Sequence, residues 1–351
     1  MKKKLLSVLM AAVMVAGVGG VGAAQVKADD EKILGAGIYS ASDNFNSYIG
    51  KAITNACDGI FKTNIEDGQN DQSTQNNQVD TMLAKGASAV AVSVCDVTAA
   101  PTLIQKCKDA GNVPIIFFNK EITDYDVINS YENAYQVTST GGDYGASIQA
   151  QMVIDYWKEH PEMDKNGDGK LQLVYLMGDP GHTASQPRCD YLKSTIEDAG
   201  IEIDLLAEDT GMWVTATAKE KMDAWVSKYG DEIECCVAGN DAMALGALSA
   251  VEAAGFNTDG EESSKYIPIY GIDALPEILS KIESGEITGS VLQDAKTQGQ
   301  TIVKMAENLT SGKDAVDGIE GVEVEEEAKA VRVPYQAITK DNLDLEKSTY
   351  E

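Results

Sequence analysis

Short apolar runs alternate with longer segments of helical spacing along almost the whole chain. KILGAGIY (32–39), AVAVSV (89–94), VPIIFF (113–118), LQLVYLM (171–177), IEIDLLA (201–207), ECCVAG (234–239) and YIPIYGID (266–273) read as buried strands. Between them NQVDTMLAKG, TLIQKCKDAG, YLKSTIEDAG, AKEKMDAWVSKYG and DAMALGALSAVEAAG repeat their apolar residues at helical spacing and close on glycine, a common helix stop. Strand–helix alternation predicts an α/β fold with parallel sheets and helices on both faces. The unit recurs about ten times, more than one small sheet holds, so two doubly wound lobes are expected.

Open parallel sheets bind ligands in the loops beyond the carboxyl ends of their strands. In this chain those positions are polar and of one kind. Asp43 and Phe45 follow the first strand, Asn119 follows VPIIFF, and His182 and Arg188 follow LVYLMGDPG. Trp213 follows LLAEDTGM, Asn240 and Asp241 follow CVAG, Asp273 closes IPIYGI, and Gln293 and Asp294 follow GSVL. Planar carboxylates, amides and guanidinium groups engage adjacent hydroxyls with fixed geometry, and aromatic faces cover the C–H patches of a sugar ring. A small polyhydroxyl ligand is the chemistry these types suit. Each residue alone has a plainer role: a strand-end Asp or Asn caps a helix or makes a turn, His182 sits in a loop, Trp213 fills a core, and Arg188 pairs with an acid. Recurrence at topologically equivalent points favours the site.

The first 28 residues lie apart from this pattern. Lys2, Lys3 and Lys4 precede an apolar run, LLSVLMAAVMVAGV, and VKA ends at Ala28 as a small-residue cleavage site, which together read as an export signal. The run is too short and too rich in Gly and Ala for a membrane anchor. Val18 stands where a lipid-anchored chain would carry cysteine, so a soluble extracytoplasmic form is expected. Removing 28 of 351 residues leaves 323, and the loss of four lysines and no acid moves the formal charge from −28 to −32. Nucleic acid and anionic lipid are repelled by such a surface. The six cysteines, at 57, 95, 107, 189, 235 and 236, show no CxxC spacing, so they read as buried thiols, with a single long-range disulfide left open.

MDKNGDGKLQLVY (163–175) has the spacing of a calcium loop. Asp164, Asn166 and Asp168 alternate along a tight turn, Gly169 stands where only glycine adopts the backbone cheaply, and the Lys170 carbonyl and Gln172 amide oxygen extend the set. Hard oxygen donors suit Ca²⁺ better than zinc or copper. An EF-hand carries a bidentate glutamate at the twelfth position, where this chain has Tyr175. Either the site is broken, or a carboxylate comes from elsewhere, or the segment is a surface turn.

GQNDQSTQNNQVDTMLAKG, VPIIFFNKE, DKNGDGKLQ, GDPGHTASQPR, TGMWVTATAKEKMDAW, GNDAMALGA, YGIDALPE and VRVPY, in this order, resemble the galactose/glucose-binding (methyl-galactoside) periplasmic solute-binding proteins of bacterial ABC transporters. The resemblance covers nearly the whole mature chain. It implies two Rossmann-like lobes of the type I periplasmic-binding-protein fold and a three-segment hinge. The first lobe would comprise 29–139 plus 292–330, and the second, bearing the calcium loop, 140–291 plus 331–351. Crossings are expected near Thr138–Gly141, Ser290–Gln293 and Val331–Tyr335.

The resemblance also implies that a distant glutamate closes the calcium loop, matching Glu234, so that Asp164, Asn166, Asp168, Lys170, Gln172 and Glu234 hold a structural Ca²⁺. Asp43 and Asn119 would bind sugar from the first lobe, and His182, Arg188, Asn240 and Asp273 from the second. Phe45 and Trp213 would sandwich the pyranose, with Tyr39 an added candidate. By this resemblance Asp43 accepts from the 4-hydroxyl in either orientation, accommodating galactose and glucose. Two positions depart. Ala184 stands where the family has an aspartate that helps hold the anomeric hydroxyl, and Gln293 replaces an asparagine that contacts the 2-hydroxyl. The implied function is capture of D-galactose or D-glucose by hinge closure. A monomer would deliver the sugar to an ABC permease and, where signalling accompanies transport, to a chemoreceptor.

Three rivals are weighed against this. A glycoside hydrolase would use Asp43 and Asp273, but one comes from each lobe and neither has an evident apolar setting that raises its pKa. A sugar-responsive transcription regulator is opposed by the export signal and the missing basic helix-turn-helix segment. A binding protein for a pentose or a substituted galactoside keeps the fold and changes the ligand.

Overall fold

The structure is a computed structural model that describes residues 32–139, 141–261 and 263–344. The export segment with its cleavage site at Ala28, Thr140 of the first expected crossing, and the last seven residues assigned to the second lobe lie outside the described residues.

The first half alternates β1 (Ile33–Ile38), α1 (Asn44–Ala56), β2 (Lys62–Asp67), α2 (Gln72–Ala84), β3 (Ala89–Val92), α3 (Ala100–Asp109), β4 (Ile115–Phe118), α4 (Tyr125–Asn129) and β5 (Ala134–Ser139). The second half continues with α5 (Gly142–Glu159), β6 (Lys170–Met177), α6 (Ser185–Asp198), β7 (Glu202–Thr210), α7 (Thr215–Tyr229), β8 (Cys235–Ala238), α8 (Asp241–Ala253), β9 (Ile269–Tyr270), α9 (Pro276–Glu283) and β10 (Ser290–Leu292). The chain closes with α10 (Ala295–Thr310), β11 (Glu323–Glu325), β12 (Ala330–Val333) and β13 (Gln336–Ile338).

One sheet runs β11-β12-β5-β4-β3-β1-β2, parallel except for β11. A second runs β7-β6-β8-β9 in parallel, and bridges Tyr270↔Gly289 and Asp273↔Leu292 lead on to the antiparallel β10–β13 pair. Burial on both faces explains the continuous apolar runs. Ala89 and Ala91 of β3 pack on one side with Ile116 and Phe118 of β4, while Val90, Val92, Ile115 and Phe117 pack on the other. The second sheet repeats this, with Val174, Leu176 and Cys236 facing one core and Leu173, Tyr175 and Cys235 the other. All six cysteines are free thiols; Cys95 is half-buried and the other five are buried.

Three segments cross between the sheets: after Ser139, between Leu292 and Ala295, and between Val333 and Gln336. The last crossing falls within the expected Val331–Tyr335, but the first lobe runs three residues beyond the expected boundary at 330. Val331–Val333 belong to the first lobe, because β12 pairs with β5 from Ala330↔Gln136 to Val333↔Ser139 and only β13 returns to the second sheet. Leu292 likewise ends β10 in the second sheet rather than opening the first lobe. The expected strands are all present. Of those the apolar pattern passed over, β2 and β11 are sheet edges with exposed positions, β10, β12 and β13 are only three or four residues long, and β5 buries the polar Gln136, Thr138 and Ser139.

Candidate functional site

The carboxyl ends of both sheets open onto one cavity of about 280 Å³ between the lobes. All nine residues expected to touch a sugar, Asp43, Phe45, Asn119, His182, Arg188, Trp213, Asn240, Asp273 and Gln293, line it, as does Tyr39. The plainer reading of two of them holds as well. Asp43 is the N-cap of α1, its Oδ1 accepting from the Asn46 N–H at 2.8 Å, and Asn240 caps α8 through the Met243 N–H at 3.0 Å. Capping and ligand contact are compatible here, because the cap fixes the side chain at the cavity wall.

On the first lobe, Tyr39 donates its hydroxyl to Asp43 Oδ2 at 2.6 Å, and the Asn46 amide bridges toward Asn119 Oδ1 at 3.5 Å. On the second, Arg188 is held at both ends of its guanidinium. It donates to the Gly239 carbonyl at 2.6 Å, to Gln293 Oε1 at 3.0 Å and to the Tyr335 hydroxyl at 3.1 Å, while its buried Nε has no partner. His182 Nδ1 accepts the Ala184 N–H at 3.1 Å, which places the ring proton on Nε2, 3.4 Å from Asn119 Oδ1. Burial, with Lys120 and Arg188 next, holds this imidazole well below its ordinary range, so it stays neutral.

Phe45 enters from α1 and Trp213 from the loop between β7 and α7, so the two lobes each supply one aromatic wall. Trp213 meets His182 edge-on at 5.4 Å between ring centroids, lies 5.6 Å from the Arg188 guanidinium carbon, and keeps a buried Nε1 without a partner. Gly178 makes its place: a Cβ there would lie 2.0 Å from the indole. Three residues of this cavity and one beside it carry backbone strain. Asn119, Trp213, Asp273 and Ala274 all have positive φ, at 64°, 62°, 122° and 50°, and such residues cost on the order of 1–3 kcal/mol each unless the surroundings over-determine them.

One of the two sequence arguments against the hydrolase reading, that neither carboxylate has a setting that raises its pKa, does not hold for Asp273. Asp273 is 3 % exposed, and burial followed by the charge of Asp241 raises its carboxyl well above the usual range, with Arg188 opposing. Sequence reasoning also passed over Lys120, which is buried with its ammonium 4.1 Å from the Tyr39 ring centroid and 2.9 Å from the Cys95 carbonyl. It adjoins Asn119 in VPIIFFNKE, which was the available signal. Tyr335, which the sequence marks only as part of a crossing, also lines the cavity.

The 164–172 loop folds on itself. Asp164 accepts the Gly167, Asp168 and Gly169 amides at 2.8, 3.1 and 2.9 Å, and Gly169 has φ 76°. Glu234, on the strand side, accepts the Lys165 N–H at 2.7 Å and the Gln172 N–H at 3.0 Å, so it does reach this loop from a distance. Gln172 Oε1 is buried without a partner. No cluster of three or more His, Cys, Asp or Glu side chains among the described residues is disposed to hold a metal. The donors here are mixed oxygens, of which three are carboxylates, and the orphaned Gln172 oxygen fits a hard cation rather than a thiolate or imidazole metal.

A two-lobed α/β chain with one polar, aromatic-walled cavity at its hinge is a ligand-capturing protein of the periplasmic-binding type. The family described as "Periplasmic binding protein domain" matches residues 36–314, and the chain belongs to it, with the type I fold. It is 42% identical over 313 residues to the D-galactose/methyl-galactoside binding periplasmic protein MglB of Haemophilus influenzae, covering 88% of this chain and 90% of the relative. A xylitol-binding protein of Mycolicibacterium smegmatis is 27% identical over 320 residues, 90% of this chain and 79% of the relative. Among solved structures, an ABC transporter solute binding protein of Bacillus halodurans with bound myo-inositol aligns with a TM-score of 0.73 at 27% identity, covering 91% of this chain and 98% of that one. These relatives are binding proteins and not enzymes. No helix among the described residues is long and apolar enough to cross a membrane.

Proposed function

We propose that this chain captures D-galactose or D-glucose between its lobes and delivers it to an ABC permease outside the cytoplasm. The observation that carries this reading is the convergence of nine planar or aromatic side chains from both lobes on one cavity, in a chain 42% identical to a galactose/methyl-galactoside-binding relative. A sugar contacting both half-sites favours the closed state by its differential affinity, so capture and closure are one event. The unpartnered Arg188 Nε and Trp213 Nε1 are donors such a ligand would satisfy.

A second reading, a galactoside substituted at the anomeric carbon, is favoured by Ala184. It lines the cavity beside Pro187 and Tyr191 with no side chain beyond Cβ. We infer also that Asp164, Asn166, Asp168, the Lys170 carbonyl, Gln172 and Glu234 hold a structural Ca²⁺, which would complete the orphaned Gln172 oxygen and offset the cost of burying Glu234. With the shell filled by protein oxygens, that ion would tie loop to strand and take no part in sugar chemistry.

Tryptophan fluorescence of the mature protein, titrated with galactose, glucose, xylose and methyl-β-galactoside, tests the proposal. Saturation by a free hexose at micromolar concentrations supports it. A response confined to the methyl galactoside transfers the assignment to substituted sugars, and no response to any of the four overturns it.

A further inference from the structure

Asp241 touches the described site nowhere, yet its carboxylate is fully buried directly behind it. It opens α8, one residue after the capping Asn240, and its own N–H donates to the Ile272 carbonyl at 2.8 Å. Oδ2 accepts the Leu275 N–H at 2.7 Å, and Oδ1 accepts the Ser290 hydroxyl at 2.6 Å. Ser290 Oγ in turn accepts the Ala274 N–H at 3.1 Å. Two successive amides of the 272–275 turn, Leu275 directly and Ala274 through Ser290, are therefore tied to one carboxylate, and the Ile272 carbonyl is held by the backbone of the same residue. The turn needs such a hold, since Asp273 and Ala274 sit at φ 122° and 50° without being glycine. Room for the carboxylate is reserved, because a Cβ on Gly271 would come within 2.1 Å of Asp241 Oδ1.

We propose that Asp241 is a positioning residue: through Ser290 and the Leu275 amide its carboxylate fixes the 272–275 turn, and so sets where Asp273 meets the ligand. The two donors to its oxygens hold the carboxyl close behind Asp273 and oppose the rise that burial causes at Asp241. Burial is the chief cause that raises both carboxyls; Glu277 adds to the rise at Asp241 and Asp43 to that at Asp273, while Arg188 opposes both. The inference rests on the sugar-binding reading only for its affinity test.

Two measurements separate them. Galactose affinity is compared in the wild type, Asp241→Asn, Asp273→Ala and the double variant, with Ser290→Ala as a milder variant if Asp241→Asn folds poorly. Asp241→Asn turns an NH₂ donor toward a donor, and a charge-assisted bond lost in this way should weaken galactose roughly 10- to 100-fold. In the Asp273→Ala background the same change should cost less than about threefold, since coupled residues do not add. An undiminished loss in that background overturns positioning and leaves a general packing role. Independently of any sugar, the carboxyl carbon of Asp273 is titrated by NMR in the wild type and in Ser290→Ala, which breaks the link to the turn while leaving the Asp241 charge in place. A changed Asp273 titration supports the proposal, and an unchanged one overturns it. A wild type that binds no hexose, with a shifted Asp273 titration, would sink the proposed function and leave the positioning role standing.

Discussion

Asp43 shows how one side chain serves fold and site together. Its Oδ1 is occupied by the first turn of α1, and its Oδ2 accepts the buried Tyr39 hydroxyl, so the carboxylate cannot rotate away from the cavity. Tyr39→Phe removes that bond and should weaken galactose by about 1 kcal/mol, roughly fivefold, with little change in thermal stability, read by calorimetric titration. His182 gives a pH test. Its imidazole is held well below the ordinary 6.5, so the unfolded chain takes up a proton that the folded chain refuses. Its contribution to stability is fully present above that ordinary value and is lost as pH falls below it. Urea midpoints should therefore fall more between about pH 7 and pH 5 in the wild type than in His182→Gln. Equal falls would place the acid sensitivity elsewhere. Site residues were legible because strand-end position and side-chain type coincide in Asp43, Asn119, His182 and Asp273. Lys120 was illegible because a lysine beside a strand end reads as solvated, and nothing local shows that Tyr39 and the Cys95 carbonyl enclose it.

At the level of elements, most of the strands that were legible are buried on both faces, since continuous apolar runs such as AVAV and IIFF have no other economical reading; the edge strand β7 was legible by its apolar residues although much of it is exposed. The short pair β10–β13 was not, because its pairing joins segments far apart in the chain, nor was the edge strand β2, whose KTNIED is polar and only partly buried. The end of β6 carries a tighter constraint. Gly178→Ala would drive a methyl into the Trp213 ring, and such overpacking should cost about 1–3 kcal/mol and lower galactose affinity with it. A variant with wild-type melting and binding would show that the indole need not lie there. The 164–172 loop was legible by its spacing, but the strand that meets it came from the resemblance alone. If it holds Ca²⁺, a chelator should lower the melting temperature by about 5 °C, and Glu234→Gln should abolish that difference. A chelator without effect on the wild type would remove the ion from the account.

For the whole molecule, three crossings and one interlobe cavity make the ligand part of the hinge. Arg188 bonds to Gln293 and Tyr335, one from each of two crossings, so the residue that would grip the sugar also grips the segments that bend. Small-angle scattering should show a smaller radius of gyration with saturating galactose than without it, and no change would argue against closure. The two-lobed architecture was legible from the count of strand–helix units, while the exact end of the first lobe within VRVPY was not, since only the pairing of β12 to β5 shows that Val331–Val333 stay in it. The central claim is that this cavity binds a hexose through side chains from both lobes. Equilibrium dialysis of D-galactose against the mature wild type and Asp43→Ala tests it most directly. The account predicts one site per chain with a dissociation constant on the order of micromolar or tighter, weakened about 100-fold or more in the variant. Absence of binding by the wild type, or undiminished binding by Asp43→Ala, would contradict it.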